Sequence, residues 1–274
     1  MHAADDGQSD LQKSLRKIAL DLADIAAAEI LPLFRSKALV ADNKSRSGFD
    51  PVTEADRAAE RAMRAHLSSV RPRDGVLGEE FGPTPGTSGL TWVLDPVDGT
   101  RAFLSGTPTW GCLIAVNAGG PPLLGLIDQP HIGERFIGGF GTAELIRNGV
   151  STPLAVRSGT ALDAAILFTT FPEIGTPAER QAFEAVRDRV RLTRYGLDCY
   201  AYALVALGQV DLVIEAGLKP FDIQGPQAVI EAAGGIVTDW DGGPAEYGGR
   251  VIAAGDPKLH AKALELLGSV SGWR

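Results

Sequence analysis

Trp92-Val93-Leu94-Asp95-Pro96-Val97-Asp98-Gly99-Thr100 is an apolar, strand-like run that ends in two carboxylates and a Gly-Thr step able to open a helix. Hard cations such as Mg²⁺ take oxygen ligands from carboxylates and main-chain carbonyls, and keep water and substrate phosphate in their remaining positions. Two Asp separated by a rigid Pro-Val step supply such ligands from one tight turn. The N–H groups of Gly99 and Thr100 then face an anion at a helix N-terminus. The same nonapeptide has a plainer reading, in which Asp95 starts a turn before Pro96 and Asp98-Gly99 forms another.

On either side of this stretch the hydrophobic pattern changes character. Residues 1–9 read as a loose tail. From Asp10 to about Lys37, Leu11, Leu15, Ile18, Leu22, Ile25 and Ile30 recur at helical spacing, with Pro32 kinking or ending the run. Ala41 to Pro51 is polar and carries Gly and Ser, as a mobile loop or hairpin does. A second helix starts at Thr53, with Glu54 and Asp56 in its first turn, where negative charge suits the dipole. Strand-like segments follow at 76–78, 91–94, 112–117, 123–128 and 135–137. Asn148-Gly149 is a tight-turn signal between Glu144–Arg147 and Pro153–Val156. Beyond Ser158, strands at 166–169, 191–194, 212–215, 236–238 and 251–254 interleave with helices at 177–189, 198–207, 221–233 and 257–267. The interleaving has no simple repeat, so a layered α/β (mixed α+β) architecture is expected. A tail of residues 1–9 precedes one domain, 10–274, made of two packed halves, 10–155 and 156–274.

Composition narrows the function classes. The 274 residues are 45% hydrophobic and 22% charged, ordinary for a globular protein, with a net charge of −8. That charge argues against broad nucleic-acid binding, which rests on Lys and Arg. It does not exclude phosphate substrates, because bound divalent cations reverse the local field. Cys112 and Cys199 have no zinc or redox spacing and read as small core residues in a reducing compartment. The N-terminus lacks the features of a signal peptide, and no run reaches the roughly 18 apolar residues of a membrane span, so a cytoplasmic protein without membrane partners is expected. Gly139-Phe140-Gly141 lacks the third glycine of a dinucleotide fingerprint. No phosphate loop, HExxH pair or GxSxG elbow occurs. His2, His66, His131 and His260 are scattered singly, which leaves nucleophilic Ser–His or Cys–His chemistry unsupported.

Further acidic residues stand at element ends. Asp50-Pro51-Val52-Thr53-Glu54-Ala55-Asp56 closes a loop and enters a helix, Gly78-Glu79-Glu80 ends a short strand, and Lys219-Pro220-Phe221-Asp222 opens a helix. Each also has a plain reading: Thr53 an N-cap, Glu79-Glu80 a solvated loop, Asp222 a helix cap. Loops at strand ends are where scaffolds carry chemistry, and clustered carboxylates repel unless cations sit between them.

In order and spacing, DPVTEAD (50–56), GEE (78–80), WVLDPVDGT (92–100) and FDIQGPQAVIEAAGG (221–235) resemble the inositol monophosphatase family of Mg²⁺-dependent, lithium-sensitive phosphatases. The resemblance covers nearly the whole chain after the tail. It implies an α/β/α/β/α sandwich of the inositol monophosphatase and fructose-1,6-bisphosphatase type, a homodimer, and two to three Mg²⁺ per site. It further implies that Glu79, Asp95 and the Val97 carbonyl hold the first ion, Asp95, Asp98 and Asp222 the second, and Asp56 a third. Thr100 with Glu79 would position the attacking water, and Glu80 would support its neighbour. Gly99 and Thr100 would face the phosphate.

The resemblance implies a small phosphorylated metabolite as substrate, whose identity turns on departures from the inositol pattern. Gly99-Thr100-Arg101-Ala102-Phe103 replaces the commoner GTTNF. The segments 108–115, 125–130, 134–136, 195–202 and 215–222 together look like the histidinol-phosphatase branch, which releases phosphate from L-histidinol phosphate in histidine biosynthesis. A carboxylate aimed at that substrate's ammonium makes a charge-assisted hydrogen bond, a role the resemblance implies for Asp198 and Glu215, although Glu215 has a hydroxyl-binding counterpart in inositol enzymes and by itself discriminates little. Asp198 otherwise reads as a helix N-cap, and Arg101 as a loop-ordering or mouth residue. An inositol-1-phosphatase or a broader sugar-phosphate or nucleotide phosphatase is the alternative within the enzyme class. A regulatory binding protein on the same scaffold is the alternative outside it, against which the complete carboxylate set speaks.

Overall fold

The computed structural model describes residues 2–37, 41–43 and 51–273. Its helices and strands follow the chain as α1 (His2–Ile30), β1 (Ala41–Asn43), β2 (Pro51–Thr53), α2 (Glu54–Val70), β3 (Gly75–Gly78), β4 (Gly82–Thr84), β5 (Thr91–Asp98), α3 (Thr100–Ser105) and β6 (Gly111–Asn117). Then come β7 (Pro122–Gln129), β8 (Glu134–Gly139), β9 (Thr142–Arg147), β10 (Val150–Pro153), β11 (Ile166–Thr169), α4 (Pro177–Arg187), β12 (Leu192–Tyr195) and α5 (Cys199–Ala206). Strand β13 (Leu212–Leu218), α6 (Pro220–Ala232), β14 (Ile236–Asp239), β15 (Gly249–Ala254) and α7 (Pro257–Gly268) complete it.

Period-two alternation in the strands sorts side chains between cores and so builds layers. The larger sheet runs β10-β9-β8-β7-β6-β5-β3-β4, and the smaller runs β12-β11-β13-β15-β14. On the larger sheet Ile114, Leu126 and Ile137 face α1 and α2, packing with Leu22, Ala26 and Met63. Their chain neighbours Leu113, Ile127 and Phe136 face the other way, onto α5 and α6. The smaller sheet repeats the device. Val213, Val251 and Ala253 point to that same middle core, whereas Leu212, Ile214 and Ile252 meet Phe183 of α4 and Ala263 of α7. The order is therefore α/β/α/β/α, as expected. The middle core takes side chains from both sides of residue 155.

Two expectations change, and a third, the loop or hairpin at 41–51, is met by its hairpin form. Helix α1 begins at His2, not near Asp10, so residues 2–9 continue the helix instead of forming a tail. No proline interrupts that stretch, and propagating a helix costs less than nucleating one. The Asn148-Gly149 turn is present, but its second strand is Val150–Pro153, with Val150 opposite Arg147. A two-residue hairpin loop leaves no room for a strand that starts at Pro153. In the 41–51 region, Ala41–Asn43 pairs with Pro51–Thr53, while residues 44–50, Asp50 included, lie outside the described residues.

Candidate active site

The site begins with a fault in a strand. In a regular strand, side chains at i and i+3 point to opposite faces, which would send Asp95 and Asp98 apart. Pro96 has no N–H for the ladder, and the pairing of β5 with β6 slips there: Asp95 lies opposite Leu113 and Asp98 opposite Gly111. The extra residue of this bulge reverses the parity, so both carboxylates turn to one side. The Val97 N–H closes the turn onto Asp95 Oδ1 at 3.1 Å, and the Thr100 hydroxyl donates to the Val97 carbonyl at 3.2 Å.

Three other elements bring their carboxylates to the bulge. Asp222 stands in the first turn of α6, where its Oδ2 accepts the Lys219 N–H at 2.6 Å. Oxygens of Asp95, Asp98 and Asp222 all lie within 4.8 Å of one another. Glu79 extends β3 alongside β5, its N–H on the Leu94 carbonyl at 3.1 Å, and its carboxyl hydrogen-bonds Asp95. Asp56 closes a capping box at the head of α2: its Oδ2 accepts the Thr53 N–H at 2.9 Å and the Thr53 hydroxyl at 2.5 Å. Its Oδ1 is buried without a partner. The Glu80 N–H donates to Glu60 Oε2 at 2.7 Å.

Electrostatics make this cluster expensive without a counter-ion. Burial first, and then the neighbouring carboxylates, push Asp95 and Asp98 well above the usual carboxylate range. Burial likewise raises Asp222 to about 7 and Asp56 to about 6. An all-oxygen donor set of hard anionic ligands, with one buried oxygen lacking any donor, fits a hard divalent cation. Each of these carboxyls holds its proton more tightly folded than unfolded. Its contribution is therefore complete below about pH 4 and is lost as pH climbs through the folded value, about 6 for Asp56 and about 7 for Asp222. Melting temperatures with EDTA should accordingly fall between pH 5.5 and pH 8. Saturating Mg²⁺ should restore on the order of 5–10 °C at pH 8 and less at pH 5.5. Equal Mg²⁺ effects at the two pH values would detach the cluster from cation binding.

Next to the cluster lies a cavity of about 240 Å³ lined by Asp198, Glu215, Thr170, Phe171 and Tyr202. Asp198 occupies the N-cap position of α5 but makes no side-chain cap there; Asp98 accepts the Cys199 N–H instead, at 2.6 Å. Gly196, Leu197 and Asp198 all have positive φ (89°, 81° and 46°). For the two non-glycine residues such backbone costs on the order of 1–3 kcal/mol each and is retained where the surroundings enforce it. It sets the Asp198 carboxyl against Gly99, itself at φ +85°, where a Cβ would come within 2.7 Å of Asp198 Cγ. Asp198 is pushed up to about 6 by burial, opposed by the Thr109 hydroxyl and the charge of Arg101. The Arg101 guanidinium stands 4.9 Å from the Phe171 ring centroid, a cation–π contact at the mouth. Glu215 accepts from the Thr170 N–H at 2.6 Å, the Thr170 hydroxyl at 2.8 Å and the Thr169 hydroxyl at 3.1 Å, and burial lifts it to about 7.

Asp98, Asp198, Glu215 and Asp222 thus line one concavity, with Asp95 in the same carboxylate cluster and Glu79 hydrogen-bonded to it. Thr169, at the end of β11, and Thr170 and Phe171 after it were not singled out, since two hydroxyls and one aromatic carry no spacing signal, and Thr109 stood out only as part of the 108–115 segment. Glu60 was missed for another reason: with Arg64 it forms an i, i+4 pair that reads as a solvated helix face.

A layered α/β fold that gathers carboxylates beside a polar cavity suits metal-assisted hydrolysis of a small substrate, and the relatives of the chain are phosphatases. The chain belongs to the inositol monophosphatase family, which it matches over residues 11–271. It is 42% identical over 257 residues to the bifunctional phosphatase IMPL2, chloroplastic, of Arabidopsis thaliana, covering 90% of this chain and 72% of the relative. It is 36% identical to a histidinol-phosphatase of Mycobacterium tuberculosis, covering 91% and 96%. The structure of an inositol monophosphatase from Zymomonas mobilis superposes with a TM-score of 0.82 at 42% identity, covering 93% of this chain and 98% of that one. Members of the family are metal-dependent and act on small phosphorylated substrates. No helix among the described residues is long and apolar enough to cross a membrane.

Proposed function

We propose that this chain is a Mg²⁺-dependent phosphomonoester hydrolase whose preferred substrate is L-histidinol phosphate. The observation that carries the substrate is the pair of carboxyls on the cavity wall next to the metal-type cluster, half-buried Asp198 and buried Glu215. A sugar or cyclitol presents hydroxyls, which need acceptors but no net negative charge. An ammonium or imidazolium end is different: it lowers the cost of ionising both carboxyls and makes charge-assisted bonds to them. The histidinol-phosphatase and IMPL2 relatives point the same way.

In this reading Glu79, Asp95 and the Val97 carbonyl hold one ion, Asp95, Asp98 and Asp222 a second, and Asp56 a third through its unpartnered oxygen. When bound, Mg²⁺ acidifies water and offsets the charge on the phosphoryl and leaving oxygens. The protein's own groups do the rest. The Thr100 hydroxyl donates to Val97 O, which leaves its lone pairs to accept one proton of the attacking water. Glu79 accepts the other and is the base that takes it. The N–H groups of Gly99 and Thr100 face the phosphate. Asp198 and Glu215 anchor the far end, and Arg101, stacked on Phe171, closes the mouth and steadies Asp198 as an anion.

The Zymomonas mobilis structure and its identity favour a second reading, inositol 1-phosphate as substrate. Parallel phosphate-release assays on L-histidinol phosphate, inositol 1-phosphate and 3′-phosphoadenosine 5′-phosphate decide between them. A kcat/KM for L-histidinol phosphate at least about tenfold above the others is expected from one or two charge-assisted hydrogen bonds. A preference for inositol 1-phosphate would assign the second reading.

A further inference from the structure

Helix α2 carries two acidic residues one turn apart with different destinations. Asp56 reaches the carboxylate cluster. Glu60, with no exposed surface, reaches the backbone of the turn that presents Glu79. Glu60 Oε2 accepts the Glu80 N–H at 2.7 Å, and Oε1 accepts the Phe81 N–H at 3.3 Å and Arg64 Nε–H at 2.7 Å. Arg64 then spans to the far arm of the same turn, donating to the Gly82 carbonyl and, at 3.0 Å, to the Thr84 hydroxyl. The carboxylate fills the space beside Gly78, where a Cβ would lie 2.0 Å from Glu60 Oε1. Residues 78–84 are thus hung from α2 by one buried ion pair, and no other charged side chain meets these N–H groups among the described residues.

We propose that Glu60, braced by Arg64, is a positioning residue for the cation site: it fixes the Glu79 turn against α2, so that Glu79 and Asp56 keep a set separation around the cluster. This rests on the metal-ligand reading above. The Glu79 N–H is held to the sheet at the Leu94 carbonyl, and the two peptide N–H groups that follow it are held by Glu60, so the path of the chain on both sides of the Glu79 side chain is set by these bonds. A buried carboxylate taking two backbone N–H groups is a stiff anchor, because charged acceptors make hydrogen bonds about twice as strong as neutral ones. The amide of Glu60→Gln keeps the shape. It offers only one acceptor oxygen and turns a donor toward either Arg64 or the turn.

The test is calorimetric titration of Mn²⁺ into the purified protein, alongside Mg²⁺ activation curves. Glu60→Gln is expected to weaken Mn²⁺ binding by about 10–100-fold, the range for lost outer partners of metal ligands. The Mg²⁺ concentration for half-maximal rate should rise in proportion, while kcat at saturating Mg²⁺ stays within about threefold. Because Glu60→Gln leaves the half-buried Arg64 without its charged partner, the Glu60→Gln/Arg64→Gln double variant is measured too, since removing a pair as a unit spares the fold better than halving it. Unchanged Mn²⁺ affinity in a folded variant overturns the proposal, and so does failure of both variants to fold, which would make the pair structural. If the unaltered protein binds no Mn²⁺, it is the proposed function that fails.

Discussion

Asp95→Asn is expected to lower the rate of phosphate release by at least about 10³-fold at saturating Mg²⁺. Asp95 is the hub of the cluster: it hydrogen-bonds Glu79 on one side and Asp222 on the other, and lies against Asp98. In the proposed reading it would be the shared ligand of both ions, and its loss would affect the attacking and the leaving oxygen together. Metal stabilisation at such centres is worth several kcal/mol, and roughly 1.4 kcal/mol corresponds to a factor of ten. The variant keeps Oδ1 to accept the Val97 N–H, so the bulge survives. It also removes a carboxyl that burial and three like charges strain. The metal-free protein should therefore melt no lower than the parent, and higher above pH 7. Loss of activity with retained or improved metal-free stability separates a ligand from a scaffold residue. Near-normal turnover would sink the metal assignment.

The second large effect concerns selectivity. Asp198→Asn should reduce kcat/KM for L-histidinol phosphate by about 10–100-fold, the loss of one hydrogen bond to a charged group at about 1.5–3 kcal/mol. For inositol 1-phosphate the same change should matter less than threefold, because an amide still accepts from a hydroxyl. The φ of +46° at this position adds a control, since Asn tolerates that backbone as readily as Asp. The substitution thus changes charge without changing the loop. Equal losses on both substrates would make Asp198 a structural partner of Gly99 and Thr109 and remove the main support for an ammonium-binding end.

Much of this was legible before any coordinates. Thr53 with Asp56 reads as the start of α2 because a hydroxyl followed three residues later by an acid closes a capping box, and that box is formed. Asp222 follows a proline at a helix start, and it lies in the first turn of α6. Strand segments of the larger sheet show themselves by Val, Ile and Leu runs bounded by turns. Short polar elements do not. Strand β4, Gly-Pro-Thr, has no hydrophobic signal and exists only as a partner of β3. The early start of α1 was hidden because polar residues 2–9 carry no apolar periodicity.

What the linear chain determined is the set of acids, their order, and their stations at the ends of elements, because capping chemistry and hydrophobic periodicity act over a few residues. Which way those acids point was decided in three dimensions. The slipped register at Pro96 brings Asp95 and Asp98 to one side, the positive backbone at Asp198 turns its carboxyl onto Gly99, and the packing of α2 on the sheet buries Glu60 beneath the Glu79 turn. Each of these depends on a partner tens of residues away or on the parity of a neighbouring strand, and local rules carry no term for either.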